Sequence, residues 1–495
     1  MTDNRRRPQG PAYGPAHVRR PVRTATGRPP TVTGRAMVAT SQPLATWAGV
    51  RAMERGGNAA DAAIAAAAMQ TVVEPMSTGI GGDCFAIVWR DGHVEALDAA
   101  GPAPARIDDD SPTMRGPRSV TVPGAVAGWA ELNERYGRLS LAECLADAID
   151  VAERGFAVAS ITAQLWAAAE SPAEFPAPAL GDLVTAPELA ATLRRIAEGG
   201  ADAFYRGPVA EAIASVCWLD EEDLRSYAPR WVEPLRLTYR GTEVFELPAP
   251  TQGVAALEAL GLLERMDAPT LPNRIRAARL AIEDALTNVR DGADVSHLLD
   301  PAHLDQRLAA QEELVAEPIG GTVYIAAVDE DRMAVSFIQS LYMSFGSGIV
   351  APGTGVVLQN RGAGFGVQGS VVAGTRPYHT IIPGMMAREG KLYGPFGIMG
   401  GPIQAQAHMQ FVSSLVDDGL DVQAALDRPR FLVAGDGVHL EEGLWPEARA
   451  LEEAGEQVIL DDNVHGFGGG QAIVIEGDAL VGGSDPRKDG HAGGY

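Results

Sequence analysis

Apolar and polar positions divide this chain into short helices and short strands. The clearest strand signal lies between Pro318 and Gly348. Two largely apolar runs, Thr322–Asp329 and Met333–Leu341, flank the polar turn Asp329-Glu330-Asp331-Arg332 and predict a hairpin. Neither run alternates cleanly, so both faces are expected to be covered. Met37–Ala39 and Cys84–Trp89 read as further strands. Helical spacing marks Leu44–Arg55, stopped by Gly56-Gly57, and a second helix capped by Asn58 with Asp61 as its partner. Trp129–Tyr136 follows, then Leu141–Arg154 behind a capping box of Ser140 and Glu143. Thr185 and Glu188 suggest the same device for a helix with Pro187 in its first turn, ending near Gly199. Asn273–Val289, Pro301–Glu313 and Ile403–Val416 complete the predicted helices. The Pro/Gly-rich stretch Pro352–Gly374 is long for an idle connection in a compact domain, which makes it a candidate functional loop.

Composition narrows the class. With 495 residues and 46% hydrophobic content the chain can build a sizeable core, and a net charge of −24 argues against nucleic acid or an anionic membrane as partner. Residues 1–35 depart from this, with eight arginines against one acid, Asp3, and few large apolar residues. They are expected to form a disordered basic arm. No apolar segment follows Arg5–Arg7, and the alanine-rich Ala59–Met69 is too short for a membrane span and carries Asp61, so a cytoplasmic protein is expected. Cys84, Cys144 and Cys217 have no paired spacing. They are expected to be buried reduced thiols, with no metal site.

Three local patterns carry chemistry. Gly320 and Gly321 precede Thr322 at the head of a buried strand. The Thr322 hydroxyl can attack the Gly321 carbonyl, where glycine permits a strained geometry. Cleavage there leaves Thr322 with a free α-amine of pKa roughly 7.7–8.0, so one residue holds both nucleophile and base. The plain alternative is a turn. Across the predicted hairpin Val323 faces Gln339, which brings Ser340 close to Thr322. Gly400-Gly401-Pro402 precedes Ile403–Val416, so backbone N–H groups are free at the positive end of a helix, an arrangement suited to an oxyanion. Two other glycine-rich runs are set aside. Gly79–Gly82 leads into a strand, and Gly346–Ala351 has no amphipathic helix behind it, so neither suits a phosphate.

The stretch GTVYIAAVD…AVSF…FGSGIVAPGTGVVLQN resembles the small-subunit start of gamma-glutamyltranspeptidases, N-terminal-nucleophile hydrolases made as self-cleaving proenzymes. The block from Met37 to Trp89 resembles the same family's large-subunit opening, and DAFYRGPVAEAIA and LPAPTQGVAALEAL continue it. The resemblance runs from about Gly34 to Tyr495. It implies an α+β fold, a four-layer αββα sandwich in which segments 36–321 and 322–495 interleave as one unit. It implies Thr322 as nucleophile, Ser340 as a second hydroxyl, and Gly400 and Gly401 as oxyanion donors. His379 and Thr380, in RPYHTIIP, occupy the places of two adjacent serines that hold the donor's carboxylate. A small-molecule amide is the implied partner, with association of the two fragments, no cofactor, and a homodimer left open.

Departures from the family pattern bear on substrate. Ala100 stands where an arginine grips the glutamyl carboxylate, Tyr342 replaces an asparagine, and QNRGAGF (Gln359–Phe365) replaces an NNxMDDF-type segment. Gly364 therefore takes the place of a carboxylate, and Arg361 introduces a positive charge. Charge-assisted contacts are worth roughly 1.5–3 kcal/mol each, so glutamyl recognition is expected to suffer. Arg361 suits a carboxylate or dicarbonyl substrate that lacks an amine. Its plain alternative is a solvated loop arginine. Two enzymatic readings follow: the family's gamma-glutamyl hydrolysis or transfer, and hydrolysis of a different small amide, oxamate-like or acylase-type. An inactive binding homologue is the third.

Overall fold

The structure, a computed structural model, describes residues 27–309 and 321–495. Pro318–Gly320, most of the basic arm and the end of the helix expected at Pro301–Glu313 lie outside the described residues. Two seven-stranded sheets dominate, antiparallel throughout. One runs in the order His491–Gly494, Met37–Thr40, Gly321–Val328, Ala334–Tyr342, Asp83–Arg90, His93–Ala99, Arg230–Val232. The other runs Thr31–Thr33, Ala479–Ser484, Gly469–Glu476, Lys391–Met399, Gly384–Arg388, Thr242–Glu246, Leu235–Tyr239. With helices making up much of the remainder, the chain is an α+β protein.

Period-two alternation along the strands feeds separate cores. Tyr324, Ala326, Phe85, Ile87, Met385 and Ile473, from both sheets, share one apolar cluster. Ile325, Ala327, Val335 and Phe337, from the opposite faces of the first sheet, pack with helices Pro43–Glu54, Ala59–Val73 and Leu141–Arg154. Val244, Met386, Phe396 and Val474 of the second sheet pack with Gly253–Glu264, Leu271–Asn288 and Ile403–Val416. The sheets approach closely at Gly397, where a Cβ would stand 2.3 Å from Cε2 of Tyr324. Tyr324 Oη and Ser336 Oγ lie 2.7 Å apart, and Ser336 Oγ donates to the Phe396 carbonyl, so the hairpin and strand Lys391–Met399 are keyed together.

Most predicted elements form. The capping boxes at Asn58–Asp61 and Ser140–Glu143 are present, and helices Leu141–Arg154 and Ile403–Val416 keep their predicted limits. Four expectations need correction. Helix Pro187–Gly199 has no side-chain cap, because Ala186 occupies the capping position and Thr185 falls one residue too early. The helix expected to begin at Trp129 begins at Ala125, since the small residues of AVAG continue the turn. The arm does not reach residue 35 unstructured, because Thr31–Thr33 pairs with Leu480–Gly482 and Arg28 Nη2 donates to the Ser484 carbonyl at 2.5 Å. Cys217 is only partly buried, unlike Cys84 and Cys144, although all three are free thiols. Among the described residues no helix is long and apolar enough to cross a membrane.

Candidate active site

The hairpin pairs Val323 with Gln339 as expected, and a bulge between Gly321 and Val323 lets Thr322 lean toward Ser340. Thr322 Oγ1 donates to Ser340 Oγ at 3.2 Å, and Ser340 Oγ donates to the Gly321 carbonyl at 2.6 Å. Ser340 Oγ also accepts from the Tyr342 backbone N–H at 2.7 Å and from Arg361 Nη2 at 3.4 Å. An amide dipole and a cation on one oxygen polarise its O–H, and that O–H points at the carbonyl Thr322 would attack.

Tyr342 holds φ at 78°, an uncommon value for a bulky residue. Backbone strain of this kind persists where surrounding structure imposes it, often at functional sites. Its ring lies 4.3 Å from the Arg361 guanidinium carbon, a cation–π contact. Arg361 opens a 3-10 segment, Arg361–Val367, inside the predicted functional loop, and it is fully buried rather than solvated. Nη1 reaches Thr380 Oγ1 at 3.4 Å, and among the described residues Nε has no hydrogen-bond partner. Burial pulls its pKa down to about 10, against the pull of Tyr342 and Asp83, so it stays cationic near neutrality. Gly364 is obligatory here, since a Cβ would fall 2.4 Å from the Tyr378 carbonyl.

Gln252 ties the next pieces together: Nε2 donates to the carbonyls of Thr380 at 2.6 Å and Gly401 at 3.4 Å. Gly400 and Gly401 adopt φ of 133° and 68°, and Gly400 lies against Gly468, where a Cβ would be 2.8 Å from the neighbouring Cα. Among the described residues neither N–H is used in a hydrogen bond, which leaves both available ahead of helix Ile403–Val416. A chain of contacts thus joins Thr322, Ser340, Tyr342, Arg361, Thr380 and Gly401.

His379, expected from the sequence to contact substrate, has both ring nitrogens engaged within the protein. Its Nδ1 lies 2.7 Å from the Pro377 carbonyl and its Nε2 3.1 Å from Asp83 Oδ2, so both ring nitrogens are occupied behind the pocket. Burial lowers its pKa, Arg361 lowers it further, and Asp83 opposes both. Sequence reasoning missed Asp83, which is fully buried. Its Oδ1 accepts from the backbone N–H groups of Gly101 at 3.1 Å and Gly124 at 3.0 Å and from Gln359 Nε2 at 2.9 Å. A signal existed, because an acid opening the apolar run Cys84–Trp89 must find partners inside. Ala100 is buried too, and its carbonyl accepts from Arg376 Nε at 2.9 Å. Elsewhere Glu258, Asp284 and His303 bring ligand-type atoms together, but Arg307 already pairs with Asp284 at 3.0 Å.

Comparisons with known proteins agree on one group. A family model described as Gamma-glutamyltranspeptidase matches residues 45–495. The glutathione hydrolase-like YwrD proenzyme of Bacillus subtilis is 33% identical, covering 92% of this chain and 98% of that one. The oxamate amidohydrolase proenzyme of Klebsiella pneumoniae is 34% identical, covering 91% and 97%. Among solved structures, a cephalosporin acylase from Bacillus halodurans superposes with a TM-score of 0.89 at 38% identity, covering 98% of this chain and 99% of that one.

Proposed function

This chain belongs to the gamma-glutamyltranspeptidase family, and we propose that it is a self-cleaving amidohydrolase whose nucleophile is Thr322 and whose substrate carries a carboxylate beside the scissile amide carbonyl. In maturation Thr322 Oγ attacks the Gly321 carbonyl carbon while Ser340 Oγ–H supports the oxygen that gains charge. The C–N bond breaks, its nitrogen takes a proton to become the Thr322 amine, and water hydrolyses the resulting ester. The mature amine then accepts the Oγ proton as Thr322 attacks the substrate amide. Gly400 and Gly401 N–H groups hold that oxyanion, the amine leaves with a proton, and water releases the acyl group. Interleaving of strands from 36–321 and 322–495 in both sheets, with a shared core between them, supports one αββα unit built from both segments.

One observation carries the substrate class. Arg361 lies two hydrogen bonds from Thr322 Oγ1, through Ser340. A carboxylate held by that guanidinium, with its amide carbonyl over Thr322, favours a substrate in which the two groups lie close together. Oxamate has this arrangement, whereas a gamma-glutamyl donor places three carbons between the two groups. The oxamate amidohydrolase relative supports the same reading. Gamma-glutamyl amides remain the second reading, supported by the breadth of the family match and opposed by Ala100 and Gly364.

Denaturing mass spectrometry tests the first part: two fragments with Thr322 at a new terminus are expected, and Thr322→Ala should stay whole. A panel of oxamate, a chromogenic gamma-glutamyl anilide and simple acyl amides tests the second. Turnover of the anilide with oxamate untouched would overturn the carboxylate-adjacent reading.

A further inference from the structure

Asp83 joins four segments that the sequence presents separately. Its carboxylate receives Gly101, next to Ala100; Gly124, in TVPGAVAG; Gln359, two residues before Arg361; and His379, next to Thr380. It also pairs with Ser340 in the strand register. Segments that carry Ala100, Arg361 and Thr380 are therefore anchored on one buried carboxylate.

The pair with His379 has a proton problem. The Pro377 carbonyl can only accept, so Nδ1 must carry a proton. Nε2 then either presents a bare lone pair to a carboxylate oxygen 3.1 Å away, or a second proton sits between them. The second proton removes a repulsion but adds positive charge beside Arg361 in a sealed site. Without ligand, Arg361 and Asp83 balance, and the extra proton is disfavoured. A carboxylate bound to Arg361 brings one negative charge, and the extra proton then restores neutrality.

We propose that Asp83 is a positioning residue of the substrate pocket and that its pair with His379 takes up one proton when a carboxylate binds Arg361. This rests on the carboxylate-adjacent reading of the site. Other groups around the pair do not supply the proton. Burial pushes Cys84, Tyr205 and Tyr227 up, so they stay neutral, and Asp98 is committed to Arg230 at 2.7 Å. The sign follows from linkage. The ligand raises the pair's proton affinity, so binding is tightest at low pH and weakens as pH rises through the bound-state pKa. The slope reaches about tenfold per pH unit for one proton.

Calorimetry of oxalate binding to the matured protein, in buffers of different ionisation enthalpy, reads this directly, with uncharged oxamide as control. At pH values between the free- and bound-state pKa of the pair, wild type should take up close to one proton per oxalate more than Asp83→Asn, and none with oxamide. The difference between the two proteins removes any uptake by the Thr322 amine, which itself titrates near neutrality. Asp83→Asn can still accept three N–H groups at its oxygen and can donate to Nε2 of a neutral His379. Its oxalate binding should lose the pair's proton uptake and the pH dependence that goes with it. Wild-type binding without proton uptake, or uptake unchanged in Asp83→Asn, overturns the proposal alone, provided Arg361→Ala abolishes oxalate binding. Absence of oxalate binding, or binding indifferent to Arg361→Ala, overturns the substrate reading with it. Should Asp83→Asn fail to mature, the same difference is read against His379→Gln, which removes the titrating imidazole.

Discussion

Arg487 is buried with its charge matched inside the protein. It donates to Glu441 at 2.6 and 2.8 Å, to Asp485 at 3.0 Å, and to the carbonyls of Leu426 and Arg428 at 3.0 Å. Arg430 shares the same Asp485 at 2.6 Å. Arg361, just as thoroughly sealed, has two long bonds to neutral hydroxyls, a tyrosine ring beneath it and an idle Nε. The two surroundings move the two guanidinium groups oppositely. Burial opposes charge at both, but Asp485 and Glu441 outweigh it at Arg487 and raise its pKa, while Arg361 falls to about 10. Removing a guanidinium from water is costly unless carboxylates and hydrogen bonds replace the water. Arg487 has that replacement within the fold and reads as structural. Among the described residues no carboxylate touches Arg361, and Asp83 acts on it only from a distance, so a charge maintained at such cost beside the proposed nucleophile points to a ligand that completes it.

The comparison can be broken most directly at Arg361. Arg361→Ala removes two charge-assisted contacts to the bound carboxylate, each worth roughly 1.5–3 kcal/mol, so kcat/KM for oxamate should fall about 10²- to 10⁴-fold. Steady-state kinetics on the matured protein checks this, and a loss under threefold would remove the functional half of the contrast. Arg487→Ala should act in reverse. Stranding Glu441 and leaving Asp485 with Arg430 alone is expected to cost about 3–5 kcal/mol, read as a lower urea midpoint in the uncleaved Thr322→Ala background, while the matured Arg487→Ala protein keeps its kinetics per folded molecule. Acid sharpens the contrast next. Burial pushes Asp485 up, yet Arg430 and Arg487 outweigh it and bring it to about 2. A carboxylate depressed by folding stabilises above its unfolded pKa and loses that as pH falls. About 2 kcal/mol should therefore vanish between about pH 4 and 2, and the loss should disappear in Asp485→Asn. The smallest effect concerns Arg361 and stability, where Arg361→Met should change the unfolding free energy from urea titration by under about 1 kcal/mol in either direction, because no carboxylate in direct contact is abandoned. Equal destabilisation by Arg361→Met and Arg487→Ala would collapse the distinction.

The geometry around Thr322 was legible because it is local. Two apolar runs with a polar turn set a register, and register alone places Ser340 beside Thr322. Gly400-Gly401-Pro402 ahead of Ile403–Val416 is equally a property of neighbouring residues. The pocket was legible only in pieces. Arg361 and Thr380 could be nominated from their segments, but nothing in either says that the arginine is buried or that a carboxylate on a distant strand anchors both. The partner of His379 was hidden for the same reason, since it is Asp83, nearly three hundred residues away. Thr185 failed as a cap because a one-residue shift in helix start cancels a capping motif, and such shifts lie within the scatter of helix ends.

Strand Met37–Thr40 runs between His491–Gly494 and Gly321–Val328, and Ala334–Tyr342 is bounded on its far side by Asp83–Arg90. A break at Thr322 would therefore change the number of polypeptides without changing the number of particles. Either piece could leave only by drawing a central strand out of a hydrogen-bonded sheet, so hydrodynamic size should be the same before and after the break and insensitive to dilution.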